Sequence, residues 1–108
     1  MTEQVLAHHL SAFSVGVDEI MKDYTDESAL IAPEGTYRGL VEIRAFFQGF
    51  VDKFPAEAWE SFQILRTEVV GEIGYQTWDA RPFIMLGTDT FLVRDGKIVV
   101  QTYASHAG

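Results

Sequence analysis

The chain has no cysteine, which removes disulfides, thiolate catalysis and cysteine-ligated zinc together and fits a reducing compartment. Basic residues are few: 8 Lys and Arg stand against 16 Asp and Glu, giving a formal charge of −8, and no Lys/Arg cluster occurs. Phosphate backbones and anionic lipid surfaces would repel such a chain, so neither nucleic acid nor membrane is an expected partner. No apolar run approaches membrane-spanning length, and the chain does not open on a basic stretch followed by an apolar one. The expectation is a cytoplasmic protein. The glycines are scattered as turn formers, without a dinucleotide fingerprint, a phosphate loop or a nucleophile elbow, and there is no repeat, linker or low-complexity segment. What is present is apolar and aromatic. Of 108 residues 47% are hydrophobic, with 8 Phe, 4 Tyr and 2 Trp, enough to fill the core of one domain spanning 1–108.

Leu6, Leu10, Phe13 and Val17 recur at spacings of four, three and four, one stripe of an amphipathic helix. Gly16 and the Asp18-Glu19 pair mark a break before a shorter helix carrying Ile20, Met21 and Tyr24. An apolar strand over 28–32 then turns at Pro33-Glu34-Gly35. Leu40, Ile43, Phe46, Phe47, Phe50, Val51 and Phe54 form the broad apolar face of the best helix, which Pro55 stops. From Trp59 onward the pattern becomes strand-like, with turns at 71–74, near Arg81-Pro82 and at Asp95-Gly96. Helices first and antiparallel strands afterwards imply an α+β domain with the helices on one face of a curved sheet.

One position breaks the pattern. Asp95-Gly96 is the strongest short-range signal for a two-residue type I′ hairpin, and such a turn fixes register. It predicts Val93 opposite Ile98, Phe91 opposite Val100 and Asp89 opposite Thr102, with all six side chains on one face. Asp89 then points with apolar residues, where a carboxyl group must be paired, hydrated in a cavity or kept protonated. The alternative is a carboxylate satisfied by a nearby hydroxyl such as that of Thr102. The same register leaves Thr90, Leu92, Val99, Gln101 and Tyr103 on the other face, an apolar patch of the kind that marks a homodimer interface.

Three segments carry a family likeness: 23–28 (Asp-Tyr-Thr-Asp-Glu-Ser) leading to Pro33-Glu34-Gly35; Tyr37-Arg38-Gly39 before Ile43 and Phe46-Phe47; and Gly87-Thr88-Asp89-Thr90-Phe91 running to Arg94-Asp95-Gly96-Lys97-Ile98. Over nearly its whole length the chain resembles the SnoaL-like branch of the nuclear transport factor 2-like superfamily, which includes ketosteroid isomerases and polyketide cyclases. The resemblance implies a cone whose mainly antiparallel sheet wraps a pocket closed by the helices, and a frequent homodimer. In ketosteroid isomerases the residue before the turn proline is the proton-moving aspartate; Ala32 stands at that place here. The oxyanion-binding tyrosine of the first helix corresponds to His8 or His9, the supporting tyrosine of the long helix to Phe47, and the tyrosine of the second helix is kept as Tyr24. The oxyanion-binding aspartic acid matches Asp89, so half of that site is present without its base.

The helical stripe distinguishes the two histidines. At 100° per residue His9 lies roughly 70° from the stripe's centre and His8 on the opposite side, which makes His9 the inward candidate, as donor, acid, base or a hydrogen-bonded flank residue. Tyr24, Phe47 and Trp78 are the candidate pocket walls; Tyr24 also suits core packing and Trp78 a dimer contact. His8 and His9 diverge on a helix and no acidic residue completes a metal site with either. Asp79 and Arg81 share a strand face near Pro82 and read as an edge ion pair. Two functions follow. One is a cofactor-independent isomerase, cyclase or dehydratase of a small, mostly apolar carbonyl compound, with Asp89 stabilising the oxyanion and His9 moving the proton. The other is a non-catalytic ligand-binding or dimerisation module.

Overall fold

The computed structural model describes residues 1–107. Two helices, α1 (Thr2–Ala12) and α2 (Val17–Met21), precede a hairpin of β1 (Ala29–Ala32) and β2 (Gly35–Arg38). Helices α3 (Gly39–Lys53) and α4 (Ala56–Ser61) follow, then the meander β3 (Gln63–Val70), β4 (Ile73–Ala80), β5 (Ile84–Arg94) and β6 (Lys97–His106). The strands form one open sheet in the order β2-β1-β6-β5-β4-β3, antiparallel throughout except that β1 runs parallel to β6. This is the expected α+β arrangement of helices packed on one face of a curved sheet. Among the described residues no helix is long and apolar enough to cross a membrane.

The core follows from the periodicities, with local corrections. Helix α1 ends at Ala12, before Gly16 adopts a φ of 145° that ordinary residues rarely take, so Val17 starts the next helix instead of ending the first. The buried stripe of α1 is Val5, Leu6, His9 and Ala12, and Leu10 is turned to its edge. His9 thus sits within the stripe, closer to its centre than the sequence spacing suggests. Helix α1 lies tightly on β4: a Cβ at Gly74 would stand 2.6 Å from Leu6 Cδ2, so any larger residue would force Leu6 to shift, and His9 projects one turn further along. Trp59, expected in a strand, belongs to the one-and-a-half-turn helix α4, which starts directly after Pro55 on the good helix formers Ala56, Glu57 and Ala58. Beyond the turn at Pro33-Glu34-Gly35 the chain adds the short strand β2, for which residues 35–38 carry no alternating apolar pattern.

The hairpin turn is as expected, with Asp95 at φ 53° and Gly96 at φ 76°, both left-handed as a type I′ turn requires. Val93 faces Ile98 across it, but a bulge follows: Val99 is extra, so Leu92 pairs with Val100, Phe91 with Gln101 and Asp89 with Tyr103. A one-residue slip exchanges the faces of everything beyond it. Asp89, Phe91, Val93 and Ile98 stay inward and buried as expected, whereas Gln101 and Tyr103 replace Val100 and Thr102 on the inner face. The outer patch is accordingly Thr90, Leu92, Val100 and Thr102, extended by Ile73 and Tyr75 of β4 in register with Leu92 and Thr90.

Candidate functional site

A cavity of about 660 Å³ opens between the helices and the inner face of the sheet. Its floor is Gln76 and Trp78 from β4, Asp89 from β5, and Gln101 and Tyr103 from β6. The walls are mainly aromatic: Phe13 just beyond α1, Phe46, Phe47 and Phe50 of α3, and Trp59 of α4. An apolar enclosure with a few converging polar atoms is the form of a small-molecule site.

Asp89 is the charge-bearing group of that floor. Trp78 Nε1 donates to Oδ2 at 2.9 Å and Gln101 Nε2 donates to Oδ1 at 3.0 Å. Burial pushes the carboxyl up to about 6 against the pull of these two donors, which favour the anion. Trp78 reaches Asp89 because its cross-strand partner is Gly87, over which the indole lies flat; a Cβ there would fall 2.2 Å from Trp78 Cε2. Alternation and this contact place Trp78 on the inner face, resolving the ambiguity between pocket wall and outer surface.

His9 forms part of the wall beside this floor. Its ring meets Phe13, Phe91 and Phe47 edge-on, with centroids 5.1, 5.2 and 5.8 Å away, and burial, aided by the neighbouring His8 charge, lowers its pKa to about 3. The imidazole is therefore neutral at physiological pH. Nδ1 approaches the Tyr24 hydroxyl at 3.5 Å, and Nε2 has no hydrogen-bond partner among the described residues. Tyr24 donates in turn to Gln101 Oε1. His9, Tyr24, Gln101, Asp89 and Trp78 thus make one continuous chain of polar contacts.

The structure brings four of the five sequence candidates, His9, Asp89, Phe47 and Trp78, to one cavity. Tyr24 is the correction: it is fully packed behind Gln101 and does not line the cavity, because it follows the C-terminus of α2 and enters the core between His9 and β6. His8 points away, its Nδ1 held by the Asp23 carboxylate at 2.7 Å and its Nε2 by Glu19 at 2.7 Å; these bonds, Glu19's first, raise its pKa. Asp79 and Arg81 form the expected edge pair at 3.3 Å, with Gln63 donating to the same carboxylate. Unbroken alternation puts Gln101 and Tyr103 on the outer face; the bulge turns both to the floor. The signal was present in Ile98-Val99-Val100, three β-branched residues that break the alternation and leave room for a bulge.

No family model matches the sequence, and no curated protein matches it. Solved structures do. A SnoaL-like protein of unknown function from Burkholderia thailandensis E264 superposes with a TM-score of 0.80 at 16% identity, covering 97% of this chain and 94% of that one. A nuclear transport factor 2-like protein of unknown function from Burkholderia xenovorans LB400 gives 0.76 at 18% identity, over 99% of this chain and 84% of that one. A candidate polyketide cyclase from Sinorhizobium meliloti gives 0.76 at 15% identity, over 93% of each chain. Helices on an open, curved, mostly antiparallel sheet, superposing nearly end to end on these proteins, give this chain the nuclear transport factor 2-like fold in the form its SnoaL-like neighbours share.

Proposed function

We propose that the cavity binds a small, mostly apolar molecule bearing a carbonyl or hydroxyl group, and that Asp89 performs cofactor-independent proton transfer on it. The reaction class is isomerisation, cyclisation or dehydration through an enolised carbonyl compound. The observation that carries this reading is a buried carboxyl group, raised to about 6, on the floor of an aromatic cavity. A base whose pKa lies close to the working pH combines a large ionised fraction with useful basicity. His9, lowered to about 3, is a far weaker base, so we assign the proton-moving role to Asp89 and give His9 Nε2 the second polar contact to the ligand. A ligand filling the aromatic cavity displaces its water, which strengthens both contacts. That solved relatives of this fold include a candidate polyketide cyclase agrees with the reaction class.

The experiment is deuterium exchange at the α-carbon of an aryl ketone in D2O, followed by proton NMR. The reading predicts exchange above the buffer rate, rising through about pH 6 as Asp89 ionises. Asp89→Asn should abolish it, and His9→Gln should reduce it far more than His8→Gln. A second reading, a non-catalytic binding module, is favoured by one fact: both Asp89 oxygens are already engaged, by Trp78 and Gln101. Saturable quenching of tryptophan fluorescence by the ketone, without exchange at any pH, would select it.

A further inference from the structure

The polar chain behind the cavity has a directionality set at one end, by the donor-only Trp78 indole and the Asp89 carboxyl it faces. Trp78 Nε1 can only donate, so Asp89 Oδ2 must accept whatever the protonation state. With Asp89 ionised, Oδ1 also accepts, from Gln101 Nε2. That orientation turns Gln101 Oε1 toward Tyr24, whose hydroxyl donates to it. The Tyr24 proton being spent, its oxygen can only accept from His9, so Nδ1 carries the ring proton and Nε2 faces the cavity as a lone pair.

Protonation of Asp89 reverses every arrow beyond the indole. Because Oδ2 still faces the indole, the new proton must sit on Oδ1, where it meets the Gln101 Nε2 donors. The contact is restored by rotating the amide, so that Oδ1–H donates to Gln101 Oε1 and Nε2 donates to the Tyr24 oxygen. The Tyr24 hydroxyl then donates to His9 Nδ1. The ring surrenders its Nδ1 proton and takes one at Nε2 through cavity water, and the net uptake is the single proton on Asp89.

We propose that Gln101 is a switchable coupler: its amide orientation, dictated by whether Asp89 Oδ1 accepts or donates, sets which nitrogen of His9 is protonated and so whether His9 offers a ligand a lone pair or an N–H. Gln101 is a positioning residue in this scheme, acting through Tyr24. The consequence for recognition rests on the cavity being a ligand site, whereas the tautomer itself is a property of the empty protein. With Asp89 ionised, the state able to remove a proton, His9 accepts from a ligand hydroxyl or enol; once Asp89 holds a proton, His9 offers its N–H to a carbonyl or enolate oxygen. The surroundings contain few competing titratable groups. His9 comes from α1, Tyr24 from beyond α2 and Tyr103 from β6, while α3 contributes only Phe46, Phe47 and Phe50 to the cavity. Asp23 acts on Tyr24, and the His8 charge on His9, from outside the chain of contacts. The Tyr103 hydroxyl donates to Ser105 Oγ and takes no part. Since burial lifts Asp89 to about 6, the switch falls in an accessible pH range.

The test is long-range proton–nitrogen NMR of ligand-free protein labelled at the histidine ring nitrogens, with His8→Gln used to assign the signals. In the wild type, His9 should stay neutral while its pyrrole-like and pyridine-like nitrogens exchange identities across the Asp89 titration, Nδ1–H above it and Nε2–H below. In Asp89→Asn the indole again demands an acceptor, so the amide nitrogen must face Gln101 and His9 should be Nε2–H at every pH. In Gln101→Met, Tyr24 keeps only His9 as an acceptor, so the Nε2–H form should persist with no switch. A wild-type tautomer that ignores the Asp89 titration overturns the proposal, as does an Nδ1–H form in either variant. Turnover of a ketone is not needed for any of these readouts, so failure of the catalytic reading leaves them decisive.

Discussion

Replacing Asp89 by Asn should change how stability depends on pH more than how stable the protein is at any one pH. Burial raises the Asp89 carboxyl from 3.8 to about 6 and lowers the His9 imidazole from 6.5 to about 3. At pH values near 5 the native state therefore holds one proton on Asp89 and none on His9, while the unfolded chain holds one on His9 and almost none on Asp89. Equal proton counts give zero slope, so in the wild type these two buried groups cancel. The signs are opposite by origin. A carboxyl raised in the folded state stabilises fully below its unfolded value, and that contribution is lost as pH rises to the folded one, about 3 kcal/mol in all at roughly 1.4 kcal/mol per unit. A histidine lowered in the folded state stabilises above 6.5, and loses that contribution as pH falls toward 3. Asp89→Asn keeps the second term and removes the first. Its stability should climb by about 2 kcal/mol between pH 4.5 and 6, where the wild type gains nothing from the pair. Groups common to both proteins drop out of the difference. Urea unfolding followed by far-ultraviolet circular dichroism across this range measures it, with unchanged m-values as the control. A wild-type-minus-variant difference constant to within about 0.5 kcal/mol from pH 4 to 7 would refute the buried, proton-retaining Asp89.

Gly87→Ala should push the Trp78 indole off its seat, costing about 1–3 kcal/mol and raising the Asp89 pKa further by loss of the indole donor; urea unfolding and carboxyl-carbon NMR check the two effects. The wild type is expected to sediment as a homodimer at micromolar concentration through the outer patch, and Leu92→Glu with Val100→Lys to sediment as a monomer, because charge buried in a self-complementary patch is stranded without water. A monomeric wild type would exclude that interface. His8→Gln should remove under about 1 kcal/mol, since His8 is partly exposed, and only at low pH: its raised pKa gives stability below its unfolded value that disappears as pH rises through the folded one. A loss that persists unchanged at high pH would mean packing, not charge, holds His8.

The physical logic of the site explains why it is assembled from separate elements. An ionisable carboxyl in an apolar cavity survives only if its oxygens are satisfied, and the two donors come from strands on either side of β5, Trp78 from β4 and Gln101 from β6. The imidazole that completes the wall is delivered by a helix that seats Leu6 against glycine at position 74.

Much of this was determined by local sequence. The type I′ turn at Asp95-Gly96, the apolar face of α3 ending at Pro55, and the opposite directions of His8 and His9 each follow from the conformational preference of a few consecutive residues, and each stands in the structure. Asp89 pointed inward for the same reason, since alternation from a fixed turn reaches it along its own strand without crossing the bulge. Tertiary structure alone decided the identity of its partners. The extra residue at Val99 sits on the opposite strand, where it leaves Ile98 in the core and converts Gln101 and Tyr103 from outer-surface residues into cavity floor. The run Ile98-Val99-Val100 permits a bulge, but packing across the sheet decides that it forms and where, which no short window of sequence contains. The place of Tyr24 behind the wall was settled likewise, by which surfaces the helices and sheet could bury together.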